Sequence, residues 1–234
     1  MRADRYKPLF TKELLMGPNA VRLLDEMLEN HPIEGGRVLD LGCGTGLTSL
    51  FLARETGAER IFAADLWIPA TENWKRIRAW GLEDKIIPLH TDARHLPFPD
   101  DYFDVVVSVD SYHYYGCEER FFAEKLLPLI RRGGQALILV PGLKREFEND
   151  VPGLFAEWVG EEAANFHDGD WWRKHVAAGC EDRVEVEVYE TRQFEQPWQD
   201  WFDSGHEYGR QDRAFLSKGL DRLLNFIVIA VRVK

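Results

Sequence analysis

The stretch Arg37–Ala53, RVLDLGCGTGLTSLFLA, decides the fold. A short apolar run reads as a buried strand. Gly42, Gly44 and Gly46 follow at every second position, and Leu47, Leu50, Phe51 and Arg54 then return at helical spacing. A strand, a glycine turn and a helix form the unit that opens a ligand crevice at the carboxyl edge of a doubly wound sheet. Without Cβ atoms the backbone can turn sharply and a ligand can lie directly on it. The free N–H groups of the helix beginning near Leu47 point at whatever binds there.

Outward from this stretch the alternation continues. RIFAAD (60–65), KIIPLHTD (85–92), YFDVVVSVD (102–110) and QALILV (135–140) read as strands; the last two are apolar almost throughout, as strands covered on both faces are. PATENWKRIRAWG (69–81) and EERFFAEKLLPLIRRGG (118–134) read as helices between them. LLMGPNAVRLLDEMLEN (14–30) places Val21, Leu24, Met27 and Leu28 on one face of an amphipathic helix laid across the first strand. Five strands interleaved with helices predict an α/β, doubly wound, mostly parallel sheet.

After Pro141 the rhythm changes. LFAEWVGEEAANF and DGDWWRKHVAAGC read as two helices, RVEVEVYET as a half-exposed strand, and LNFIVIAVRVK as a closing apolar strand. The whole chain, 1–234, reads as one domain. It comprises an amino-terminal arm and helix (1–33), a core (34–140) and two inserted cap segments (141–181 and 192–222). The stretch before the last strand is too long for a plain hairpin connection and predicts a lid or pocket wall. Tyr6 and Phe10 in the arm are candidates to close the crevice from the other side.

With 40 acidic against 29 basic side chains the net charge is -11, which leaves no basic footprint for nucleic acid or an anionic membrane. The cysteines, Cys43, Cys117 and Cys180, make no C-x-x-C pair, as in a reduced, cytoplasmic chain without a metal site. No stretch reads as a signal peptide or a membrane span. A small-molecule partner is expected.

Three carboxylates sharpen the crevice. Asp65, at the end of the second strand, can accept both hydroxyls of a ribose or serve as a helix-cap or turn carboxylate. Asp92, with the backbone at Ala93, can read an adenine amino edge. Asp40 can hold the glycine loop or reach a ligand ammonium. The G-x-G-x-G spacing differs from the G-x-G-x-x-G of pyrophosphate binders and suits a nucleoside with a small charged tail.

VLDLGCGTG, AADLW, TDARHLPFPDDYFDVVVS and LLPLIRRGGQALI together resemble the class I, Rossmann-like S-adenosylmethionine-dependent methyltransferases. The resemblance covers roughly 34–140. It implies a seven-stranded sheet with an antiparallel last strand and S-adenosyl-L-methionine as cofactor. By the same resemblance Asp40, Gly42, Gly44 and Gly46 would cradle its methionine part and Asp65 its ribose. Leu66 would pack on the adenine, Asp92 and Ala93 would bind the amino edge, and Asp110 with Ser111 would lie beside the sulfonium. Where some subfamilies carry N/D-P-P-Y this chain has SVDSYHYYG, which removes support for base or glutamine N-methylation.

Methyl transfer to a hydroxyl or an ammonium needs a base within reach. His113 is the leading candidate, with Tyr112 beside it; the other role open to His113 is structural, donating to a loop carbonyl. Tyr114, Tyr115, Trp171, Trp198 and Trp201 are the candidate substrate walls, since aromatic faces beside carboxylates enclose cationic or apolar molecules. Packing the insertions onto the sheet is the alternative use of the tryptophans. The expected activity is methyl transfer to a small amine, hydroxyl or thiol. The alternatives are an aminopropyl transferase, an NAD-dependent oxidoreductase, or a non-catalytic module holding S-adenosylmethionine or S-adenosylhomocysteine.

Overall fold

The alternating strands close into one seven-stranded sheet in a computed structural model that describes residues 1–147 and 150–234. In chain order the strands are β1 (Arg37–Leu41), β2 (Arg60–Asp65), β3 (Ile86–His90), β4 (Phe103–Val109), β5 (Ile130–Leu143), β6 (Val184–Glu190) and β7 (Leu224–Val233). Their spatial order is β3-β2-β1-β4-β5-β7-β6. β7 runs antiparallel to both of its neighbours, β5 and β6, and the pairs from β3 to β5 are parallel. The order reverses between β1 and β4, and a doubly wound sheet opens its crevice at that switch point.

Helices α1 (Ala20–Asn30), α2 (Leu47–Glu55) and α3 (Ala70–Ala79) belong to the amino-terminal half. Helices α4 (Gly153–Val159), α5 (Gly169–Ala177), α6 (Glu195–Asp203) and α7 (Glu207–Leu216) belong to the insertions. Two large apolar cores result. One contains Val38, Leu50, Phe51 and Trp198, the other Leu39, Phe103, Ile138 and Trp172. Neighbouring residues of β1 thus feed opposite faces, as the period of two requires. Among the described residues no helix is long and apolar enough to cross a membrane.

Four expectations change. The first helix begins at Ala20, not Leu14: Pro18 disfavours helical geometry at Gly17, and the Asn19 side chain caps the N–H groups of Val21 and Arg22 at 3.1 and 3.4 Å. α1 is also more than amphipathic, because Arg22, Asp25 and Glu26 are buried with its apolar face. Asp25 accepts from the Ala3 N–H (2.9 Å) and Arg2 Nε (2.7 Å), and Glu26 accepts from the N–H groups of Arg192 and Gln193 (2.7 and 3.0 Å). Beyond Glu118 no long helix forms. A single π turn over Phe122–Leu126 passes into a 3-10 turn, where Pro128 has no N–H to continue it, and β5 begins at Ile130. The 192–222 segment, expected as a lid or pocket wall, is mostly helical and lines no part of the main cavity, with Trp198 and Trp201 three residues apart on the buried face of α6.

Candidate active site

At the switch point lies a cavity of about 310 Å³, within the usual range for a small-molecule site. Four strand ends supply most of its wall: Leu41–Thr45 after β1, Ala64–Trp67 after β2, Thr91–Arg94 after β3 and Val109–Ser111 after β4. Leu14–Pro18 closes one side, and Tyr114 and Tyr115 another.

The glycine turn is held from behind. Gly42, Gly44 and Gly46 all have positive φ (76°, 53° and 88°), where a side chain is strained. A Cβ on Gly44 would stand 2.8 Å from Met16 Sδ, so the amino-terminal segment lies directly over the bare backbone. Thr45 Oγ1 fastens that segment by donating to the Leu14 carbonyl at 2.6 Å.

Asp65 organises two loops at once. One oxygen accepts the Gly44 N–H at 2.8 Å, and the other accepts those of Trp67 and Ile68, both at 2.8 Å. A carboxylate has about four acceptor positions, so one remains for a ligand hydroxyl. Asp92 Oδ1 accepts from the Arg94 N–H (2.9 Å) and Nη1 (3.2 Å), and its pKa is lowered first by the backbone bond. Leu66 and Trp67 are exposed in the wall, and Ala93 is buried beneath them.

Seven candidates are not in the wall. Asp40 is buried behind the loop, accepting from Thr48 and Ser49 at 2.7 and 2.5 Å; burial pushes its pKa up to about 6, so it ties β1 to α2 rather than meeting a ligand. Gly46 faces Asn73 and Trp80. Tyr112 is wholly buried, 5.7 Å from Trp172. His113 is 2% exposed, packed on Tyr114 and Phe166, with Nδ1 unpartnered among the described residues. Burial pushes its pKa down to about 3, so it is neither a base facing the cavity nor a donor to a loop carbonyl through Nδ1. Trp171 is sandwiched between His167 and His175, with ring centroids at 3.4 and 4.2 Å, on a separate shallow cleft. Trp198 and Trp201 are core residues, the latter donating to Asp212 at 2.8 Å. Tyr6 likewise turns away from the cavity, donating to Glu55 and packing on Phe51. Large indoles bury more apolar area in a core than a pocket wall allows.

The buried neutral histidine has a measurable consequence. Its folded pKa lies below its ordinary 6.5, so the folded state binds fewer protons between pH 6.5 and 3, and stability falls as pH drops through that window. His113→Phe removes this term. Its stability relative to the wild type should rise by about 2 kcal/mol between pH 7 and pH 5, measured by urea unfolding. Asp40 and Asp110, whose pKa values are raised, contribute with the opposite sign, but equally in both proteins. A difference independent of pH would show that His113 titrates in the folded state as it does in the unfolded chain.

Sequence reasoning missed Leu14–Pro18, Trp67 and Arg94. The first was legible in principle, since Gly-Pro-Asn is a turn followed by a helix cap; the others carry no motif.

Residues 38–134 match the family model described as a methyltransferase domain. That match and the sheet order make these residues similar to a class I, Rossmann-like methyltransferase domain. The chain is 33% identical over 119 residues to methyltransferase GfsG of Streptomyces halstedii, covering 50% of this chain and 42% of that one. It is equally identical, over the same shares, to a fatty-acid O-methyltransferase of Mycolicibacterium smegmatis. These matches span less than half the length of either relative. Among solved structures, phosphoethanolamine N-methyltransferase 2 of Haemonchus contortus, in complex with S-adenosyl-L-methionine, superposes with a TM-score of 0.73 at 17% identity. That likeness covers 94% of this chain and 54% of that one.

Proposed function

We propose that the chain transfers a methyl group from S-adenosylmethionine to a small-molecule acceptor. One observation carries this reading: the strand ends inside the matched domain, at 42–45, 65–67, 92–94 and 110–111, converge on a single cavity. Its donor set suits a nucleoside with a charged tail. The bare backbone of Gly42–Thr45 would hold the methionine part, and the remaining acceptor position of Asp65 the ribose. Leu66 would cover the adenine, and Asp92 with the backbone at Ala93 would take its amino edge. When bound, the cofactor supplies an electrophilic methyl group on sulfur.

The chain's own task is to position the acceptor and keep water out. Leu14–Pro18 and Tyr115 exclude solvent from the two sides of the turn. The curated relative acts on a fatty acid through oxygen and the structural neighbour is an N-methyltransferase, so the acceptor atom must come from this chain's own residues.

Asp65→Ala should weaken S-adenosylhomocysteine at least tenfold, about 1.4 kcal/mol, by calorimetry; unchanged affinity would remove Asp65 from the ribose site. The reaction is tested by screening amines, alcohols, phenols and thiols for acceptor-dependent release of S-adenosylhomocysteine. A bound cofactor with no acceptor-dependent release in any class would favour a non-catalytic binding module instead.

A further inference from the structure

Three carboxylates line the cavity, and two of them are occupied. Asp65 and Asp92 accept several protein hydrogen bonds each, whereas no donor among the described residues reaches the Asp110 carboxylate. Its backbone is fixed, however. Asp110 holds a left-handed φ of 55°, rare and costly for a residue with a Cβ, and its N–H donates to the Leu139 carbonyl at 2.8 Å. A Cβ on Gly17 would stand 2.7 Å from Asp110 Oδ2, so the amino-terminal wall lies directly against the carboxylate. A half-buried carboxylate that faces a cavity with no protein donor of its own is a place for a ligand cation.

The surroundings say which counter-ion. Trp67 (61% exposed) and Tyr114 (37% exposed) stand edge to face, 5.2 Å apart, and both line the cavity. Asp212 of α7, held by the indole N–H groups of Trp158 and Trp201 at 2.8 Å, adds negative charge behind Asp110. Glu162 acts in the same sense on Tyr114. Arg94, the one cationic side chain lining the cavity among the described residues, is already bound to Asp92 and Glu118. An anionic acceptor would find no free cation here, and the net charge of -11 would repel it.

We propose, building on the methyltransferase reading, that the acceptor is an amine bound as its ammonium, with Asp110 as counter-ion and Trp67 and Tyr114 as cation-binding walls. Burial, and secondarily Asp212, pushes the Asp110 pKa up to about 7. The Asp110 carboxylate is the group placed to accept the proton the ammonium must lose, one N–H bond breaking as an O–H bond forms and the lone pair staying on nitrogen. The free amine is then the nucleophile that methyl transfer requires.

The test is calorimetric, on the full chain saturated with S-adenosylhomocysteine, using 2-phenylethylamine, 2-phenylethanol and phenylacetate as probes of one shape. The amine should bind at least tenfold tighter than the alcohol, and phenylacetate should not bind. Asp110→Asn should abolish the preference for the amine. The proposal is overturned if the alcohol or the acid binds as tightly as the amine, or if none of the three binds. It is equally overturned if Asp110→Asn spares the preference and weakens S-adenosylhomocysteine, which would make Asp110 the partner of the cofactor's own ammonium. Failure of S-adenosylhomocysteine to bind the wild type is a separate result that removes the methyltransferase reading and this one with it.

Discussion

Arg22→Ala should destabilise the folded chain by about 3–5 kcal/mol, although Arg22 touches no part of the cavity. The guanidinium is 3% exposed on α1; it bonds Asp200 of α6 through Nε and Asp4 of the amino-terminal arm at 3.1 Å through Nη1. Asp200 also accepts from Asn19 Nδ2 at 2.7 Å, so one carboxylate joins the cap of α1 to the insertion. Removing the cation leaves that carboxylate largely buried (11% exposed) with two neutral donors, Asn19 and Gln196, and no opposite charge. For a chain of this size the melting temperature should fall by roughly 10 °C. The check is a double-mutant cycle in urea: Asp200→Ala should cost much less in the Arg22→Ala background than alone. Additive losses would show that the pair is not coupled.

Gly42→Ala is the second large effect, and it should strike fold and site together. The residue sits at φ +76°, and a Cβ there would lie 1.8 Å from Ser111 Oγ and 2.3 Å from Ser111 Cβ. Ser111 is short and begins the turn that carries Tyr114 and Tyr115, so it has no flexible end to swing aside. Left-handed strain and overpacking together should cost about 2–5 kcal/mol. Whatever relief the chain finds must push the 111–115 wall into the cavity, so S-adenosylmethionine affinity should fall with stability. Gly153→Ala is the control. Gly153 has ordinary φ and open space around its missing Cβ, and its substitution should stay within about 0.5 kcal/mol of the wild type. Equal behaviour of the two variants would refute this account of the turn.

The contrast between these glycines marks what the sequence could express. Gly42 stands in a dense local pattern, where strand, turn and helix follow within a few residues, and such patterns fix φ and topology together. β1 to β5 and the switch point were legible for that reason, and so were Asp65, Asp92 and Asp110, which sit at strand ends by construction. His113 was not, because SYHYYG does not say which of its rings points inward. The turn after β4 sends Tyr112 and His113 into the core and leaves Tyr114 at the cavity. Trp198 and Trp201 were misplaced because an aromatic at helical spacing looks alike whether it faces a ligand or Phe226, and only tertiary packing decides. The polar underside of α1 was invisible for the same reason, its partners lying at positions 2, 3, 4, 192, 193 and 200.

Calorimetric titration of the full chain with S-adenosylmethionine, S-adenosylhomocysteine, NAD and NADP tests the central claim most directly. One equivalent of each adenosyl ligand should bind, weakened at least tenfold by Asp65→Ala, while the nicotinamide cofactors give no binding heat. Binding of NAD or NADP alone would contradict the account and assign the cavity to a different chemistry.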